Sequence, residues 1–141
     1  MKKIILATLF VVAASISIYA QCDKRVIITS SKTEYLDADG NVQRSVDENS
    51  IVEFDSKEII ITPGDDPVMK GTISSFTCDW KTPFKEGKTV LKTTMTNPQG
   101  QSFGLTITIE GKDGKISFLA EIDEQPDRKI RIVVDKFEEK K

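Results

Sequence analysis

The chain has no histidine among its 141 residues. That removes the commonest general base, the commonest metal ligand and every triad built on imidazole, so hydrolases of the usual kinds drop out. Tryptophan occurs once and cysteine twice. Apolar residues at helical spacing appear nowhere over a useful length, and there is no internal repeat, coiled coil or low-complexity tract. A basic surface is missing too: 20 Lys and Arg stand against 22 Asp and Glu, giving a net charge of −2. The lysines are scattered along every segment, and only Arg25, Arg44, Arg128 and Arg131 could offer a guanidinium to phosphate. Nucleic acid is therefore not an expected partner.

What is present begins with an export leader. Lys2 and Lys3 precede an apolar run from Ile4 to Ala14, then the small-residue stretch SISIYA, and the composition turns polar at QCDKR. This is the pattern of a secretory signal peptide, with cleavage expected after Ala20. Its apolar part is shorter than the roughly 20 residues that cross a bilayer, which favours a cleaved leader over the alternative of an uncleaved N-terminal anchor, and no transmembrane segment is expected in the remainder. Residues 21–141 are then one domain, of a size that can bury one core. An exported chain meets the oxidising periplasm or the cell exterior, where a bridge between Cys22 and Cys78 would persist. It would fasten a loose N-terminus to the middle of the fold. Two alternatives stand beside it: two free thiols, or a lipid on Cys22 anchoring a lipoprotein. A lipobox wants a Leu-like residue three places before the cysteine and a small one just before it, where this chain has Tyr19 and Gln21.

After the leader the hydrophobic period is two, with β-branched residues dominating the apolar positions, which predicts strands. In SFGLTITIE, Phe103, Leu105, Ile107 and Ile109 share one face. Ile116, Phe118, Ala120 and Ile122 do the same in KISFLAEID, and Asp113-Gly114 between the two runs is a hairpin turn signal. NPQGQ closes another hairpin, between KTVLKTTMT and SFGLTITIE. KIRIVVD follows the turn EQPDR. Upstream, RVIITS, TEYLD, NVQRSV, IVEF, EIIIT and GTISSFTCDW read as further strands, separated by DADGN and by the polar breaks DEN and DSK.

Some nine or ten antiparallel strands in one domain must dispose of two sheet edges. Short sequential turns favour an up-and-down barrel, with the Thr- and Lys-rich face outside; a two-sheet β-sandwich is the alternative. In strand count, meander order, size and leader the chain resembles the lipocalin-like group of small exported β-barrels. Lipocalins proper carry Gly-x-Trp on the first strand, whereas Trp80 lies mid-chain after Asp79. The resemblance implies a central cavity for a small apolar ligand.

Candidate sites are few. Cys78 in TCDWK has no imidazole to activate it and reads as buried or bridged. Asp65-Asp66 and Glu138-Glu139 read as solvated charge, although paired carboxylates can serve glycoside hydrolysis. Asp37, Asp39, Asn41, Gln43, Ser45 and Glu48 occupy the ligand offsets of a calcium loop, but Val42 stands where that loop needs glycine and strands flank it. A turn on Asp39-Gly40 accounts for the same residues, and neither metal nor cofactor is expected. Two longer connections, Thr62 to Gly71 and Lys81 to Lys88, could shape a mouth, and Trp80 and Phe84 beside the second are the candidate ligand contacts. Core packing is the competing role for Trp80, which alternates with Phe76 and Cys78. The sequence thus reads as a non-enzymatic exported binding protein with a small apolar ligand in the barrel. The alternative is a periplasmic or surface interaction protein, an inhibitor or envelope component, whose barrel is packed solid and binds a protein partner.

Overall fold

Alternation of apolar and polar residues folds here into eight antiparallel strands and no helix, in a computed structural model that describes residues 21–140. The strands are β1 (Val26–Leu36), β2 (Val42–Phe54), β3 (Glu58–Pro63), β4 (Met69–Thr82), β5 (Glu86–Thr96), β6 (Ser102–Lys112), β7 (Lys115–Ile122) and β8 (Lys129–Glu139). Each pairs with its neighbours in sequence, and β1 pairs with β8, so the meander closes into a barrel with no free edge between first and last strand. The leader, Met1 to Ala20, lies outside the described residues.

Eight strands replace the nine or ten expected because two polar interruptions are absorbed into continuous strands. RVIITS and TEYLD are both β1, joined through a bulge that skips Ser31 between Ser30 and Lys32. Ser30 Oγ donates to the Lys32 carbonyl at 2.9 Å and accepts the Lys32 N–H at 3.2 Å, satisfying the backbone where the ladder breaks. NVQRSV and IVEF are both β2, and DEN runs through it as strand. DSK is a true turn: Asp55 accepts the N–H groups of Lys57 and Glu58 at 2.8 and 2.9 Å.

The tight turns follow their residues. Asp113 and Gly114 both have positive φ, 53° and 81°, as a two-residue hairpin of the primed type requires. DADGN and NPQGQ form the same five-residue turn. In each the first side chain, Asp37 or Asn97, accepts two backbone N–H groups at 2.9–3.0 Å, and the glycine, Gly40 or Gly100, takes the positive φ. Outward positions carry groups such as Lys88, Lys92, Thr94, Thr106, Glu110 and Asp135, while Ile28, Ile59, Leu91, Met95, Ile107 and Ile109 are fully buried inside. Apolar residues inside and charges outside are the reverse of the alternation that a lipid-facing barrel needs. No helix of the described residues is long and apolar enough to cross a membrane.

The two ends of the barrel differ. One end collects the turns at 55–57, 83–85 and 113–114 together with the start of β1 and the end of β8, and it is plugged. The other collects the connections at 37–41, 64–68, 97–101 and 123–128.

Candidate functional site

Trp80 forms the plug. Register places it opposite Gly87 of β5, which is opposite Gly111 of β6, so the indole spreads over two neighbours that have no side chain. A Cβ on Gly111 would lie 2.6 Å from Trp80 Cζ3, so a larger residue there would displace the ring. Trp80 is 1% exposed and donates its Nε1–H to Thr89 Oγ1 at 2.7 Å. Its ring meets Phe137 edge-on at 5.5 Å between centroids, and Phe84 meets the same ring at 4.9 Å. Phe84 holds a positive φ of 60°, a costly conformation for a bulky residue, and its N–H donates to Gln21 Oε1 at 2.7 Å. Cys22 is bridged to Cys78 with 5.8 Å between Cα atoms, which fastens the segment before β1 to β4 at this same end. The structure therefore brings Trp80 and Phe84 together, but around Phe137 and the disulfide at the plugged end.

The other half of the barrel is hollow. A cavity of about 400 Å³ opens among the connections at that end. Its wall is apolar, with Val52, Ile61, Leu105, Phe118, Ile122 and Ile132 among the residues that face it. Trp80 and Phe84 do not line it. The hollow exists because small residues stand on the inner face in this half: Thr33 on β1, Ser50 on β2 and Ala120 on β7, where the rows nearer the plug hold Ile28, Phe54 and Phe118. Eight strands leave an interior that side chains can just fill or that can hold one small ligand, so such reductions decide between the two.

Three polar features mark the cavity. Thr33 is 4% exposed, and its buried Oγ1 has no hydrogen-bond partner among the described residues. Glu48, on the inward face of β2, is half-buried, and its carboxylate lies against Gly64. Asp66 and Gln99 come from the connections around the mouth, together with Pro67 and Pro98. Sequence reasoning passed over Thr33 and Gln99, considered Glu48 as a calcium ligand and Asp66 as half of a solvated carboxylate pair, and named the connection from Thr62 to Gly71, which carries Asp66 and Pro67, as a possible mouth. Asp37, the first residue of that calcium-loop pattern, is instead committed to its own turn. Its carboxyl is held below the usual range, first by the N–H of Asn41 and then by further donors in the turn. Among the described residues no group of three or more His, Cys, Asp or Glu side chains could hold a metal ion.

On the far side of Tyr35 lies a second hollow, lined by Arg44, Arg128 and Lys129 and also by Asp37 and Asp127. The Arg44 guanidinium sits over the Tyr35 ring, 4.4 Å from its centroid. Compared with known proteins, the chain matches no family model, no curated protein and no solved structure.

Proposed function

We propose that the protein is an exported, non-enzymatic carrier that holds one small apolar ligand in the open half of a lipocalin-like barrel. The observation that carries this reading is the cavity: about 400 Å³ falls within the size range of small-molecule sites, and an apolar wall with a few polar groups near the opening is their usual chemistry. An empty apolar hollow of this size costs stability, since its lining gives up dispersion contacts, and a ligand would restore them. A barrel packed solid, whose exterior engages a protein, would have no reason to keep it.

Export is supported by the leader pattern and by the bridge, which suits an oxidising compartment, periplasmic or extracellular. The Cys22 sulfur, committed to Cys78, is not free to carry a lipid. The non-enzymatic reading rests on the absence of histidine, which removes the usual activating base for a hydroxyl or thiol nucleophile.

Titration with the neutral fluorophore N-phenylnaphthylamine tests the proposal. Saturable one-to-one binding is expected, and Ala120→Phe, which projects a ring into the hollow, should reduce it at least about tenfold if roughly 1.4 kcal/mol of contact is lost. Absence of saturable binding would remove the carrier reading.

A further inference from the structure

The charged groups that line the cavity all have one sign. Glu48 and Asp66 are carboxylates, and among the described residues no lysine or arginine lines the cavity. Neither carboxylate takes part in an ion pair among the described residues. The acidic groups near the plugged end are otherwise engaged: Glu53 is paired with Lys140 at 2.8 Å, and Asp55 with Arg25 at 3.1 Å. Glu48 is thus half-buried beside an apolar wall with no cationic side chain paired to it, so a ligand that supplies a positive charge would meet a complementary group there. Thr33, whose buried Oγ1 has no hydrogen-bond partner among the described residues, and Ser50 line the same cavity. A shift of the Thr33 side chain toward the cavity would let its hydroxyl accept a hydrogen bond from an ammonium head, which offers three donors.

We infer that the ligand is an amphiphile with a cationic amine head, and that Glu48 and Asp66 at the mouth select it over a fatty acid of the same tail. The inference rests on the carrier reading above. The apolar wall holds the tail, and the ammonium lies among the carboxylates. An anionic head would be placed beside two like charges, where a low-dielectric wall strengthens the repulsion. The cations Arg44, Arg128 and Lys129 face the neighbouring hollow, where Asp37 and Asp127 stand with them.

Competition of decylamine, decanol and decanoate against N-phenylnaphthylamine at neutral pH, on the disulfide-intact protein, tests the assignment. The three share a tail and differ in head charge. Decylamine should displace the probe at a concentration about tenfold or more below that of decanoate, with decanol between them, a size appropriate to partly screened charges. Glu48→Gln should shrink the amine-to-acid ratio several-fold while leaving decanol unchanged. Asp66→Asn, at an exposed position, should shrink it in the same direction. Decanoate binding as well as decylamine would overturn the inference and leave the carrier standing, with Arg128 and Lys129 as the anchors to examine. A ratio unmoved by both variants would also overturn it. Failure of all three competitors, together with failure of the probe, would remove the carrier reading and the selectivity with it.

Discussion

Two buried threonines in one barrel should respond to the same substitution with opposite signs. Thr89 is 1% exposed and its Oγ1 is the acceptor, at 2.7 Å, for the indole N–H of the fully buried Trp80. Thr89→Val keeps the shape and the β-branch but leaves that N–H dry and unpaired, at a cost of about 1–3 kcal/mol. Thr33 is 4% exposed and its Oγ1 has no partner, so Thr33→Val removes a desolvation penalty already present in the folded protein. A gain of about 1 kcal/mol is expected there. Changes in strand propensity and apolar area are common to both substitutions and cancel in the comparison, leaving a separation of roughly 2–4 kcal/mol from the hydrogen bond alone. Urea unfolding with the disulfide intact, followed by Trp80 fluorescence, reads this as midpoints separated by roughly 1–2 M at the slope of a domain this size. Destabilisation by Thr33→Val comparable to that of Thr89→Val would refute the reasoning, because it would mean that the Thr33 hydroxyl is hydrogen-bonded in the ligand-free protein. If the carrier proposal is right, the same Thr33→Val protein should also bind decylamine more weakly than the parent does.

Thiol counting on exported protein without reductant should find no free cysteine, and Cys22→Ser should lower stability by about 2–4 kcal/mol, since the bridge closes a loop of sequence separation 56. Acid should weaken the fold through the carboxylates near the plugged end. Glu53 is held below its ordinary range, first by the hydrogen bond from Lys140 and then by Arg25. For Asp55, burial pushes upward, but the N–H groups of Glu58 and Lys57 and the Arg25 charge outweigh it and lower the pKa. A depressed folded pKa contributes stability that is present above the unfolded value of about 4 and is lost as pH falls through the folded one. Melting temperature should therefore drop below about pH 4, and Arg25→Ala should flatten that drop; an unchanged profile would show the network contributes nothing. Gly111→Ala should cost about 1–3 kcal/mol by pressing a methyl against Trp80 and the Lys85 carbonyl, and wild-type stability in that variant would mean the indole is not seated where described.

Most of the barrel was legible because its determinants are local. Period-two alternation fixed the inward residues of β5 to β7, and Asp39-Gly40, NPQGQ and Asp113-Gly114 placed their turns through glycine's tolerance of positive φ. The extra strands came from separating RVIITS from TEYLD and from reading DEN as a break. A polar triplet ends a strand only if its backbone groups lose their partners, and here Ser30 supplies them across the bulge while β1 continues to pair β2 through Asp47. That compensation comes partly from the neighbouring strand, so a reading of one segment at a time cannot see it. The pairing of Cys22 with Cys78 was legible from compartment and from the lack of any other cysteine.

The position of the cavity was not legible, and the reason is geometric. Which half of a barrel is hollow depends on the summed side-chain volume in each row across eight strands, and rows exist only once register is known. Trp80 alternating with Phe76 and Cys78 pointed inward, but an aromatic beside a long connection fits a mouth and a plug equally well. The pair that distinguishes them is Gly87 and Gly111, isolated glycines in strands that otherwise alternate cleanly, which mark a place where something large approaches the backbone. Placed in one row with the only tryptophan, they locate the plug. The plug then implies the opening: the same inner face carries Thr33, Ser50 and Ala120 toward the opposite end, and Glu48, dismissed as one oxygen of a failed calcium loop, becomes the half-buried charge that faces whatever enters.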